Sequence, residues 1–376
     1  MDAIAVAVID VEESEEDDIE LLDSAEYPYS DEAQQDLQDL VSKSEVTLRE
    51  VSRTNAVIGD EFADAAKSFV DESGLSFDDI DVIGTYGQTI GHYPGDSPSS
   101  TLQLGEGVRI AEETGVDTVS NFFTRDLVAG GVGAPLIMRF DHAHYADPDE
   151  DRLVLNIGGI SNVTYLPAES SIDDVRAFDT GPGNMLIDAA VRKQTDGKEI
   201  LDEDGERASR GDVADELLAE LMGHPFVNAA PPKSSGRADF GDAELQDIWN
   251  RAAEHNVSGD DLVATLTAFT AEAIAYNKQK FIDEPVDRTI VFGGGSRNPA
   301  IVDELTERME GEIVVSDELG HPHDAREVMG TAYIGYRSWS GKQTNVPSAT
   351  GSQPVCGGAV ARGDIKDEPS CEGDCW

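Results

Sequence analysis

Apolar runs in this chain end repeatedly in glycine, and that punctuation restricts the fold more than any other feature. Leu153-Val154-Leu155-Asn156-Ile157 runs into Gly158-Gly159, and a second apolar run starts at Ile160. Ile290-Val291-Phe292 runs into Gly293-Gly294-Gly295-Ser296-Arg297-Asn298, ahead of a helical pattern. Phe178-Asp179-Thr180 runs into Gly181-Pro182-Gly183-Asn184, again ahead of a helix. Glycine at a strand end opens backbone conformations that other residues avoid, and it lets N–H groups approach an anion. At a strand-to-helix junction it also brings a helix N-terminus within reach of phosphate. Each turn has a plain structural reading as well. Residues 158–159 fit a simple hairpin, 293–295 fit close helix–strand packing, and Asp179 fits a cap on the helix that starts near Asn184. A fourth cluster, Gly130-Gly131-Val132-Gly133-Ala134-Pro135, reads as a loop before a helix.

Between these turns the periodicity alternates. Residues 3–10, 81–84, 101–104, 116–119, 153–157, 288–292 and 312–315 read as strands. Helical spacing occupies 46–72, 106–114, 184–193, 212–222, 259–281, 298–309 and 327–339. The stretch 12–20 carries seven acids and reads as a solvated turn. Alternation of this kind implies an α/β protein with mixed sheets. A polar bridge at 141–152 places one boundary. The expected division is an N-terminal domain over 1–150, a C-terminal domain over 151–351, and a loose acidic tail over 352–376.

Charge narrows the partners. The chain has 76 acidic and 27 basic residues, a net charge of −49. Nucleic-acid phosphates and anionic membrane surfaces are repelled by such a surface. The 39% hydrophobic content and recurrent Val/Ile/Leu runs argue against disorder. The composition fits a protein of a salt-filled, halophilic cytoplasm, where molar salt screens carboxylate repulsion to within about 3 Å. No apolar run is long enough to span a membrane, and Met1-Asp2 opens no basic leader. Cys356, Cys371 and Cys375 are an odd set near the C-terminus, which fits a reducing cytoplasm. Cys371 and Cys375 are a weak metal pair in a frayed tail.

Asp179 is the residue with the most chemical promise. A carboxylate fixed at a strand end acts as a general base when water or a hydroxyl reaches it. Pro231-Pro232-Lys233-Ser234-Ser235-Gly236-Arg237 places two cations in a lysine-poor chain. It reads either as an anion contact or as a surface turn with local ion pairs.

In order along the chain, these motifs resemble the anhydro-N-acetylmuramic acid kinase family of the actin-like and sugar-kinase superfamily. The resemblance covers roughly 1–350. It rests on Tyr86-Gly87-Gln88-Thr89, Thr101-Leu102-Gln103-Leu104-Gly105, Arg125-Asp126 with the 130–136 loop, the 156–162 turn, Asp179 to Asn184, Lys233 to Arg237, Gly293 to Asn298, and Asn345-Val346-Pro347-Ser348-Ala349-Thr350-Gly351. It implies two ribonuclease-H-like domains around a central cleft, ATP with Mg²⁺, a sugar substrate and a homodimer. It also implies hydrolytic opening of a 1,6-anhydro bridge with phosphorylation of the freed O6. Asp179 would activate the water. Gly293, Gly294, Gly295 and Asn298 would border the nucleotide, with Gly181, Gly183 and Asn184 beside it. Gly158 and Gly159 would face its phosphates, and Gln88, Thr89, Arg125 and Asp126 would face the sugar. No metal ligand is implied by residue.

Three departures are visible. The family opens on a strand and a glycine- and serine-rich phosphate loop, and Met1-Asp2-Ala3-Ile4 corresponds to the end of that loop. The expectation is therefore a chain lacking the first strand. Tyr86 stands where a histidine is usual. Asn121-Phe122-Phe123-Thr124-Arg125-Asp126 lacks two cations and an acid of the usual sugar motif. The departures keep two alternatives in view: a non-catalytic sugar or nucleotide sensor on the same fold, and a kinase of another sugar or anhydrosugar.

Overall fold

The computed structural model describes residues 3–363 apart from 15, 16, 44 and 236. In chain order the strands are β1 (Ala3–Glu12), β2 (Asp18–Pro28), β3 (Ile83–Gly84), β4 (Gln88–Tyr93), β5 (Ser100–Leu104), β6 (Thr118–Ser120), β7 (Arg152–Ile157), β8 (Ile160–Leu166), β9 (Arg176–Pro182), β10 (Arg288–Phe292), β11 (Glu312–Val315) and β12 (Ala359–Ala361). Strands alternate with helices, so the protein is α/β.

The chain forms two compact units, Met1–Phe140 with Glu327–Trp376, and Asp141–Arg326. This differs from the expected division. Most of the helix Ala325–Trp339 belongs to the first unit, where the backbone of Gly84 lies against Thr331 and Gly335. An added Cβ on Gly84 would stand 2.5 Å from the Thr331 carbonyl oxygen, so only a glycine lets β3 and this helix come so close. Residues 352–363 are also ordered rather than a loose tail. β12 adds antiparallel to β6, which satisfies backbone groups of both strands. Cys371 and Cys375 lie outside the described residues.

In the first unit, β1 and β2 make an antiparallel hairpin, β4 and β5 make another, and β3 runs parallel to β6. The helix Leu48–Ser73 starts at a capping box, in which Thr47 and Glu50 exchange hydrogen bonds, and ends where Gly74 takes left-handed geometry. Its buried face includes Ile58, Ala65, Phe69 and Val70.

The second unit carries one five-stranded sheet, ordered β11-β10-β7-β8-β9. β7, β8 and β9 are successive antiparallel neighbours, and β10 lies parallel to both β7 and β11. This is the strand order of a ribonuclease-H-like sheet. β7 is buried on both faces, which explains its nearly unbroken apolar sequence. The helix Asp260–Phe281 is buried almost all round from Leu262 to Ile274 and packs on β9. Leu155, Phe178, Leu186, Phe269 and Leu305 share its core. Removing one large side chain there would cost about 3–5 kcal/mol.

Candidate active site

Three of the sequence's glycine motifs meet in the second unit. The β7–β8 turn holds Gly158 and Gly159, and the end of β9 folds directly over it. The N–H of Gly183 donates to Gly159 O at 2.9 Å, and that of Asn184 donates to Gly158 O at 2.8 Å. A Cβ on Gly183 would lie 2.1 Å from Gly158 O, so the contact demands glycine. From β10, Gly293 adopts φ +80° with Asn156 and Ile157 pressed against it, and Gly295 packs on Ile157 and Asn184. Close packing therefore accounts for Gly183, Gly293 and Gly295.

Gly158 and Gly159 are different. A Cβ there would meet nothing nearer than 3.7 Å and 3.8 Å respectively, an ordinary contact, so packing does not demand glycine at either position, and Gly159 is exposed. Backbone N–H groups of a glycine turn can approach an anion, and the exposed Gly159 leaves room for one. Gly294 is also exposed, with the Asn184 amide beside it. Asn298 is not available to a nucleotide. Its Oδ1 accepts from the N–H groups of Ala300 and Ile301, which caps the helix Pro299–Arg308, and its Nδ2 donates to Asp202 O. That correction has an ordinary physical cause, because a helix starting at Pro299 needs its first N–H groups satisfied.

Asp179 does not cap the helix Met185–Gln194, since β9 continues through Gly181 and Pro182 before that helix begins. Its carboxylate turns instead to the 233–235 loop. Oδ2 accepts from the N–H of Ser235 at 2.6 Å and from Ser234 Oγ at 3.2 Å. Its own N–H donates to Lys233 O at 3.2 Å. The residue is 8% exposed. Burial drives its carboxyl from 3.8 up to about 6, against the opposing pull of those hydrogen bonds and of Lys233, and Asp239 adds to the rise. The result is a buried carboxyl on β9 that holds its proton more tightly than a free aspartate.

Lys233 fits neither sequence expectation, being neither an anion contact nor part of a surface turn. Its ammonium is buried and donates to Phe226 O, Val227 O and Asn277 Oδ1. Gly236 lies outside the described residues. An open pocket lined by His224, Phe226, Asp239, Glu244 and Arg251 flanks this loop. It includes neither Asp179 nor the glycine turns.

The proposed sugar contacts lie in the first unit. Gln88 and the exposed Thr89 start β4, where Thr89 Oγ1 accepts from Gln103 Nε2 across the hairpin. Arg125 is exposed, and its Nη1 donates to Cys356 O. Asp126 is corrected by its surroundings. At 1% exposure it accepts from Gly133 N–H, Asn345 Nδ2, Thr350 Oγ1 and Ser352 Oγ, which leaves it no free edge for a sugar. Its carboxylate pins the 131–133 loop to the 345–352 segment. Sequence reasoning missed this because three of the donors come from more than 200 positions away. Tyr86 packs edge-on against Phe122.

Among the described residues, no group of three or more His, Cys, Asp or Glu is placed to hold a metal, and no helix is long and apolar enough to cross a membrane.

Residues 1–362 match the family described as anhydro-N-acetylmuramic acid kinase. The chain is similar to the anhydro-N-acetylmuramic acid kinase of Caldanaerobacter subterraneus subsp. tengcongensis, with 40% identity over 91% of this chain and 89% of that protein. It is 37% identical to a protein of the same name from Bacillus cereus, over 94% of each chain.

Proposed function

Because the chain belongs to the anhydro-N-acetylmuramic acid kinase family, we propose that Asp179 is the general base of its reaction. The enzyme is an ATP-dependent sugar kinase that opens the internal bridge of 1,6-anhydro-N-acetylmuramic acid and yields N-acetylmuramate 6-phosphate, a step of amino-sugar recycling. The observation that carries the role of Asp179 is its burial on β9 with its Oδ2 held by Ser234 and Ser235 and, among the described residues, no hydrogen bond to Oδ1. In its ionised form, Asp179 takes a proton from water as the water oxygen bonds to the anomeric carbon. The bond from that carbon to O6 breaks, and O6 takes the γ-phosphoryl group as ADP departs. The proton on Asp179 then returns to solvent.

The exposed Gly159, in a turn where packing does not demand glycine, supports a role for Gly158-Gly159 in cradling phosphate. Phosphoryl transfer asks mainly for positioning and charge neutralisation. Mg²⁺ bound with ATP would supply the neutralisation. Gly181, Gly183, Asn184, Gly293, Gly294 and Gly295 are assigned to nucleotide binding in the second unit, and Gln88, Thr89 and Arg125 to sugar binding in the first. We also place the enzyme in a salt-rich cytoplasm, on the net charge of −49, and propose a homodimer. The test is ATP turnover with 1,6-anhydro-N-acetylmuramic acid in molar KCl. The wild-type chain turns over and Asp179→Asn does not. An Asp179→Asn enzyme as fast as wild type removes Asp179 from the mechanism.

A further inference from the structure

The loop that holds Asp179 is itself held by a cation almost cut off from water. Lys233 Nζ donates to Phe226 O at 3.0 Å, Val227 O at 3.2 Å and Asn277 Oδ1 at 2.7 Å, and the residue is 9% exposed. The rings of Phe226 and Phe281 lie 4.8 Å and 5.5 Å from the ammonium. All three ammonium donors are used on neutral acceptors, so no carboxylate is directly bonded to this charge.

A buried ammonium without a bonded counter-ion is costly unless it serves a nearby negative charge. The connections lead to one. The carbonyl of Lys233 accepts the N–H of Asp179, and the next two residues, Ser234 and Ser235, grip the Asp179 carboxylate. Asn277, fully buried, binds Lys233 through Oδ1 and donates through Nδ2 to the carbonyl of Thr180, next to Asp179 on β9. Backbone, side chain and charge therefore all run from Lys233 to Asp179. The ammonium favours ionised Asp179, and the burial that depresses it, to about 8, is partly offset by that same carboxylate.

We infer that Lys233 is a positioning residue: its buried ammonium locks the 226–235 loop onto Asp179 and sets the pH range over which that carboxylate can accept a proton. The inference rests on Asp179 being the base. The other charged groups that bear on this pair are Asp239, on the helix Arg237–Phe240, which opposes ionisation of Asp179, and the exposed Lys280, on the helix Asp260–Phe281, which opposes the charge on Lys233.

The experiment measures kcat/KM from pH 5 to 9 in molar KCl for wild type, Lys233→Met, Lys233→Arg and Asp179→Asn. Methionine keeps the apolar stem and removes the charge. Its acid limb should move up by about one pH unit, so activity at pH 6 falls several-fold further than at pH 8. Arginine should return the limb to the wild-type position. A uniform loss at every pH, with the limb unmoved, would reduce Lys233 to a structural prop and overturn the inference. If Lys233→Met does not fold, Lys233→Gln removes the charge while keeping a side-chain N–H donor toward the Phe226 and Val227 carbonyls. An upward limb then supports the inference, and an unmoved one overturns it. An Asp179→Asn enzyme that stays active refutes the premise instead, so the two failures are separable.

Discussion

Replacing Asp179 with Asn should stabilise the protein. The carboxyl is raised from 3.8 to about 6 by burial, so its charge opposes folding. Below pH 3.8 both folded and unfolded chains carry the proton and the aspartate costs nothing. Between pH 3.8 and about 6 the unfolded chain ionises while the folded chain keeps its proton, so stability is lost across that window, and above about 6 the full cost stands. The rise is about two pH units, each worth about 1.4 kcal/mol, so the charge costs roughly 3 kcal/mol at about pH 7.5. The attraction of Lys233 is already contained in that figure. Asparagine keeps an oxygen to accept from Ser235 and carries no charge. Urea unfolding at constant high KCl, from pH 4 to 8, should show Asp179→Asn gaining on wild type as pH rises. The gain should reach roughly 3 kcal/mol, or about 5–10 °C in melting temperature, and vanish near pH 4. A variant less stable than wild type at pH 7.5, or a difference that ignores pH, would refute the reasoning. A carboxylate retained at such a stability cost is the pattern expected of a group kept for chemistry.

Asp126→Ala should do the opposite. It strips the acceptor from Gly133, Asn345, Thr350 and Ser352, and at least about 3 kcal/mol of stability should go, read as a lower denaturant midpoint. Gly158→Ala should fold within about 0.5 kcal/mol of wild type, since a Cβ meets nothing closer than 3.7 Å, yet bind ATP more weakly in calorimetry. Gly183→Ala should lose several kcal/mol, because its Cβ falls on Gly158 O. With a net charge of −49, circular dichroism should collapse as KCl falls below molar levels. A flat signal would contradict the halophilic reading.

The glycine punctuation made much of the second unit legible. β7, β10 and the helix Asp260–Phe281 are strongly apolar, and their type follows from local pattern alone. β2 was not legible, because Glu20, Asp23 and Glu26 swamp its alternation and only Ile19 on it is fully buried. Its pairing with β1 makes it a strand. β12 is three residues long and exists because it lies beside β6, some 240 positions earlier. The same distance hid the role of Asp126, whose motif suggests a ligand while most of its donors come from the far end of the chain. Asn298 shows a different failure. A glycine-rich junction and a helix cap share one sequence signature, and the cap claimed the side chain. Asp179 was legible as a fixed carboxylate, whereas the loop that fixes it was not, because Lys233 reads as a surface cation.

The most direct measurement is turnover in ¹⁸O-labelled water with ATP and 1,6-anhydro-N-acetylmuramic acid, followed by mass analysis of the product. Wild type should place one solvent oxygen on the anomeric carbon and none in the phosphate, and Asp179→Asn should form no labelled sugar phosphate. Label in the phosphate, or labelled product from Asp179→Asn at the wild-type rate, would contradict Asp179 as the base that opens the bridge.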